Sequence, residues 1–469
     1  MSFVVHRVSK SAARYTDAGG REKCGYCRFF IAPRTCGKVI GPVSPQGWCK
    51  YFSRQVAQQY SGAGITGGGG PPGATLSLDF MSSGNMPPGI TFTRASSATY
   101  TDASGVIQTA AANQPRWDYA GGSLRGLLIE EARTNLIVSS VDFSGFGWSL
   151  VAATIAAGQA GAPDGTSTFT RLIETSANSV HYVGIPIATL AASTLYTLSV
   201  YAKAQQSRYL QLAVRDGGGT NGAFATFDVL GGTITGPLTA IAGGVIGTAS
   251  IQPVGNGVFR CSMATTVGAL TTGSVLLLLS NTPTPAFAPG YVGNASNGLQ
   301  IWGAQLEQGS VVSTYTPTGG TAATRAAEVC YLPIGPWYNS AAYSLFAECV
   351  AGANINSMIA GIGDATPANG FYMIGNGALR FGVGLAASPA MTPGAVSKIC
   401  GTVTPAQVRC CINGAAIGTA GSAAAQTTAT RLSIGGSPWA GDAQINAHLR
   451  RIGFWTRVLS DTEIQQVTT

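Results

Sequence analysis

The chain has 469 residues, a net charge of +8, only 10% charged residues and 64 glycines. This length supports about three domains, and a composition so rich in glycine and so poor in charge suits short strands joined by tight turns rather than long surface helices or coiled coils. The longest apolar run, Val275 to Leu279, is too short for a membrane span, and Arg7, Lys10 and Arg14 interrupt the N-terminus before a secretory h-region can form.

The charge excess is local. Residues 1–60 carry ten Lys or Arg against Asp17 and Glu22, while the remaining 17 basic and 17 acidic residues cancel. No recognition helix or interleaved stacking pattern accompanies these cations, so nucleic acid is not an expected partner. The same segment holds Cys24, Cys27, Cys36 and Cys49 in the spacing C-x2-C-x8-C-x12-C. Four thiolates from one short segment suit a tetrahedral zinc, a [4Fe-4S] cluster or two disulfides. Phe29, Phe30, Trp48, Tyr51 and Phe52 crowd these cysteines in sequence, and an aromatic wall of that kind keeps water from an iron-sulfur centre.

On these residues the segment from Val8 to Phe52 resembles the high-potential iron-sulfur proteins: Val8 to Tyr15, Cys24-x-x-Cys27-x-Phe29-Phe30, Cys36-Gly37-Lys38-Val39 and Ser44-Pro45-Gln46-Gly47-Trp48-Cys49. The resemblance implies a [4Fe-4S] cofactor on Cys24, Cys27, Cys36 and Cys49, with Tyr15 packed on it; Phe29 and Trp48, from the aromatic wall, are the further candidate cofactor contacts. The loop from Cys27 to Cys36 is shorter than in many members. Zinc is the alternative cofactor.

A Gly/Pro linker follows at 61–75, with Gly67 to Gly70 flexible and Pro71-Pro72 stiffening its end. No Gly-Lys-Ser/Thr ending makes it a phosphate loop. Residues 76–135 read as short strands forming a module of their own, around Leu76-Ser77-Leu78-Asp79-Phe80, Ile90 to Ser96, Tyr100 to Ile107 and Gly126 to Asn135. This wording, with Asn113 to Tyr119 between, resembles a module of tailed-phage head-spike and tail-fibre proteins, and it continues at Leu299 to Gly309 and Thr314 to Thr318. The flanked region, 136–325, reads as a β-sandwich similar at fold level to carbohydrate-binding modules. Tyr196, Leu198, Val200 and Ala202 alternate with Thr197, Ser199 and Tyr201, which predicts one apolar face per strand.

Residues 326–469 alternate in the same way. Asn413-Gly414 predicts a hairpin turn, and Ser460 with Glu463 predicts a capping box. The run from Leu449 to Ile464 resembles the last strand and closing turn of concanavalin-like, laminin-G-like jelly rolls. The fold class is therefore mostly β: a small irregular metal-cluster domain at 1–60, then β-sandwich and jelly-roll domains.

Catalysis finds little support. Glu130 and Glu131 are adjacent, so on a strand they face opposite ways and cannot flank one glycosidic bond; an ion pair with Arg125 or Arg133 is the expected role for one of them. His6, His181 and His448 are scattered and no nucleophile elbow occurs. Trp337 and Tyr338 beside Asn339, and Trp439 near Asp442, are the candidate glycan platforms. Cys261, Cys330, Cys349, Cys400, Cys410 and Cys411 read as small buried hydrophobes. The expectation is a non-enzymatic phage virion protein, a fibre or spike assembled in the host cytoplasm and anchored by its N-terminal domain. Its expected partners are other virion proteins, further copies of itself in a homo-oligomer, for which a trimer is one option, and host surface glycan. An electron carrier fused to a surface-binding module and a depolymerising tailspike enzyme are the alternatives.

Overall fold

A computed structural model describes residues 30–31, 35–36, 71–82, 84–350, 358–364, 371–374, 379–381, 384–386, 391–392, 394–420, 427–436 and 444–469. The chain forms two compact units, 1–65 and 66–469. In the first, the strands Phe30–Ile31 and Thr35–Cys36 pair antiparallel, with Phe30 opposite Cys36. Tyr15, Cys24, Cys27, Phe29, Trp48 and Cys49 lie outside the described residues, and Cys36 is described in its backbone alone.

The second unit is almost entirely strand, closed by the Asp461–Thr468 helix. One sheet runs in the order Gly418–Ala420, Val408–Ile412, Val396–Val403, Tyr343–Val350, Ala447–Trp455, Ser123–Ile129 and Trp117–Ala120, and Leu76–Asp79 also pairs with Ala447–Trp455. Another runs from Gly384–Ala386 through Met358–Gly363, Arg431–Ile434 and Val329–Pro333 to Thr91–Thr93. Residues 76–135 are therefore not a module of their own. Leu76 lies opposite Phe454, Leu128 opposite His448 and Phe92 opposite Cys330. Strands of three to seven residues cannot bury an apolar face unaided, so they complete the sheets of residues 326–469.

The sandwich at 136–322 is consequently an insertion within the jelly roll. At its neck Arg133–Asn135 pairs with Ala323–Arg325, Asn135 lying opposite Ala323. Asn135 is buried there, donating to the carbonyls of Ala304 and Thr316 and accepting from the N–H groups of Ile137 and Leu306. All its polar capacity is satisfied, which fixes where the chain enters and leaves the insertion.

Two sheets build the insertion around one apolar core. Leu198 and Val200 on Leu195–Lys203 meet Leu210, Leu212 and Val214 on Tyr209–Asp216 and Val275, Leu277 and Leu279 on Gly273–Ser280. The alternate residues Leu276 and Leu278 join Ala213 and Phe224 in a second cluster, so the apolar run read from the sequence is one strand buried on both faces.

Local chemistry follows the expected patterns near the C-terminus. Asn413 and Gly414 both take positive φ, 49° and 71°, and the Ala415 N–H closes the turn on the Ile412 carbonyl at 2.9 Å. Ser460 caps the final helix with the reciprocal Glu463 contact. Gly126, at φ 131°, is required for close approach: a Cβ there would sit 2.3 Å from the Leu449 carbonyl oxygen. The six cysteines between Cys261 and Cys411 are free and buried.

Candidate functional site

Trp337 is core. It is fully buried and lies edge-on to Phe454, with ring centroids 5.0 Å apart, so its face offers no platform to a sugar. Half-buried Tyr338 packs against the same Phe454 at 5.9 Å, and Trp439 lies outside the described residues.

The polar concavity is elsewhere, between the jelly roll and the insertion. A cavity of about 480 Å³ opens there, with Tyr100, Asp118, Tyr119, Arg125 and His448 on the jelly-roll side. Its other wall is the outer face of the insertion's six-stranded sheet. Pairing sets Gln252 opposite Arg260 and Arg260 opposite Tyr201, and in the next row Ser250 opposite Ser262 and Ser262 opposite Ser199. Strand alternation points each row outward from the apolar core, as the sequence predicts. That outward face is not open to solvent throughout, because Thr197, Ser199 and Tyr201 are buried against the rest of the unit.

Beneath the cavity a buried ion network joins the two sandwiches. Glu328 accepts from Arg116 Nε at 2.8 Å, from Arg94 at 3.0 Å and from the Glu130 N–H at 2.7 Å. Arg116 donates onward to Glu130 at 2.8 Å, to the Thr99 carbonyl at 2.7 Å and to Thr314 Oγ1 at 2.9 Å. Thr314, on the insertion, returns its N–H and hydroxyl to Glu130 at 2.8 and 2.6 Å. Arg325 adds charge at 3.6 Å from Glu130 and 3.8 Å from Glu328. Glu130 is thus buried and held by Arg116 and Arg325; the ion pair expected of one glutamate with Arg133 is made by its neighbour Glu131. Burial opposes ionisation of Glu130, but Arg325, Arg116 and the Thr314 bonds outweigh it and hold the carboxyl well below the usual carboxylate range.

At the cavity wall His448 Nε2 lies 2.8 Å from Asp118 Oδ2, and Asp118 also accepts the Thr101 N–H at 2.7 Å. Burial lowers the His448 pKa, aided by Arg125, and outweighs the opposite pull of Asp118 and Glu130. A histidine depressed in the folded state stabilises the fold above its unfolded pKa of about 6.5, and that stability is lost as pH falls toward the folded value. Wild type should therefore lose more Tm than His448→Gln between about pH 7.5 and 5. Parallel pH profiles would contradict this.

Residues 334–465 match the concanavalin A-like lectin/glucanases superfamily, in its laminin-G form. The C-terminal domain is a laminin-G-like jelly roll. A stretch of 46 residues is 46% identical to an iron oxidase of Acidithiobacillus ferrooxidans, covering 10% of this chain and 51% of that protein, so the chain spans about half the length of this curated relative. Among solved structures, the Ruminococcus gnavus sialidase CBM40 bound to alpha2,3 sialyllactose overlaps 28% of this chain and 85% of its own at 18% identity and TM-score 0.23. Mouse laminin alpha1 domains LG4-5 overlap 69% and 95% at 13% identity and TM-score 0.20. Trypanosoma rangeli sialidase with sialic acid overlaps 64% and 60% at 12% identity and TM-score 0.24. Superpositions this loose fix neither the fold nor the site.

Among the described residues no group of three His, Cys, Asp or Glu side chains is placed to hold a metal. No described helix is long and apolar enough to cross a membrane. The inter-sandwich cleft had one visible trace in the sequence, the polar alternation of Thr197, Ser199 and Tyr201. Its opposite wall, from Tyr100, Asp118, Arg125 and His448, had none.

Proposed function

We propose that the chain is an attachment protein of a tailed-phage particle, a fibre or spike whose cleft between jelly roll and inserted sandwich binds saccharide on the host surface. The observation that carries this reading is the cleft itself: a polar cavity walled by serine, threonine, tyrosine and arginine side chains and held in shape by a buried ion network. Hydroxyl-rich ligands need many such donors and acceptors on a rigid frame. The match of residues 334–465 to a superfamily of lectins and glucanases supports the same reading.

Binding is favoured over hydrolysis by the state of the carboxylates. Both Glu130 oxygens accept hydrogen bonds, and its depressed pKa leaves no proton to donate at neutral pH. Asp118 is likewise engaged, by His448 and the Thr101 N–H.

For the N-terminal unit, the donor set of four cysteines suits a [4Fe-4S] cluster on Cys24, Cys27, Cys36 and Cys49; the 46-residue similarity to an iron oxidase favours iron in this chain. Such ligation supplies folding free energy to a segment of this size, so the cluster serves as a structural anchor to the particle. The iron oxidase match also favours the electron-carrier reading, which a reversible one-electron couple in the intact chain would support.

Glycan-array binding by the full chain, followed by calorimetry on the hits, tests the saccharide reading. Saturable binding that is weakened by substitutions in the cleft is the expected result. Binding that survives every cleft substitution, or no binding at all, would contradict it.

A further inference from the structure

We infer that the cleft selects an acidic saccharide, one carrying carboxylates along its chain, with Arg125 and Arg260 as the anion contacts. The inference rests on the saccharide-binding reading and narrows it to a ligand class.

The charges on the lining do not cancel. Its two carboxylates are already engaged, Glu130 by Arg116, Arg325 and Thr314, and Asp118 by His448 and the Thr101 N–H. Its two arginines are not neutralised. Arg260 donates to the Ser313 carbonyl at 2.8 Å and to Ser199 Oγ at 3.0 Å, both uncharged, and its guanidinium carbon lies 5.1 Å from the Tyr201 ring centroid. Its Nε–H is buried and has no acceptor among the described residues. Arg125 is half-buried at the opposite wall, and its side chain makes no ion pair or hydrogen bond among the described residues.

A guanidinium partly withdrawn from water gains most from an anion that presents two oxygens to its fork, and a carboxylate does so. One arginine stands on the jelly roll and one on the insertion, so a ligand that meets both spans the cleft. The same lining holds the hydroxyl and amide groups of Ser250, Gln252 and Ser262 and the aromatic residues Tyr100 and Tyr119. That pairing of cations with neutral polar groups and aromatic rings suits a sugar acid better than a bare inorganic anion.

Calorimetry of the full chain against a short oligogalacturonate and its methyl ester separates charge from shape. The free acid is expected to bind about tenfold or more tighter than the ester, with an affinity that falls as salt rises. Arg125→Gln, which breaks no side-chain bond, should weaken the acid by a similar factor and the ester by much less. Arg260→Lys, which keeps charge but loses the fork, should show a smaller loss. Equal affinity for acid and ester, or an equal loss of both in Arg125→Gln, would overturn the acid preference while leaving saccharide binding intact. Inorganic sulfate competing as well as the uronate would also overturn it. Silence toward every glycan, acidic or neutral, would remove the reading beneath it.

Discussion

Glu328→Ala is expected to cost about 3–5 kcal/mol of stability, because one partner of a buried ion network leaves the others charged and unpaired. Glu328 is fully buried and accepts from Arg94, Arg116 and the Glu130 backbone, so its loss leaves Arg94 without a carboxylate, Arg116 with Glu130 alone and one N–H without its acceptor. Glu130, still ionised beside Arg116 and Arg325, offsets part of the imbalance, which keeps the effect finite. Glu328→Gln should cost less, since an amide oxygen still accepts while the amide group adds repulsion toward the arginines. Because Arg116 and Glu130 both bond Thr314 on the insertion, the substitution should also loosen the inserted sandwich against the jelly roll. Urea unfolding of the three proteins checks the order. A loss below about 1 kcal/mol for Glu328→Ala would mean that the network is not buried as described.

The second large effect concerns the N-terminal unit. Purified full chain is expected to be brown, with about four iron and four sulfide per chain, and Cys24→Ser should abolish both the colour and the bound sulfide. Metal ligation and folding are coupled in a segment this short, so the substitution should also open residues 1–65 to protease while the unfolding transition of residues 66–469 is retained. Iron, zinc and acid-labile sulfide analysis on one sample distinguishes the outcomes. One zinc and no colour would keep the anchor and remove the cluster; no metal after anaerobic preparation would remove both.

What could be read in the sequence is what neighbouring residues decide. The mostly β character, the turn at Asn413-Gly414, the Ser460 cap and the closing strand of the jelly roll depend on short-range alternation, φ preference and capping, all visible within about ten residues. The discontinuous jelly roll depends on which strands pair. Leu78 lies opposite Ile452 and Arg94 meets Glu328, and no local pattern marks partners so far apart. The candidate site was hidden for a second reason. Alternation tells which strand positions avoid the apolar core but not what they face, so it sets Thr197, Ser199 and Tyr201 off the core without showing that they are buried behind a cleft. Trp337 misled in the opposite sense, since a turn beside Asn339 and Ser340 gives an aromatic the surroundings of a surface site while its ring packs on Phe454.

The double sandwich makes the cleft, and the cleft carries the functional reading, so the most direct measurement is a crystal structure of the full chain soaked with the tightest saccharide found on the array. The saccharide is expected between the two walls, with a carboxylate within hydrogen-bond reach of Arg125 or Arg260. A saccharide seated elsewhere on the unit, with the cleft left to water, would contradict it.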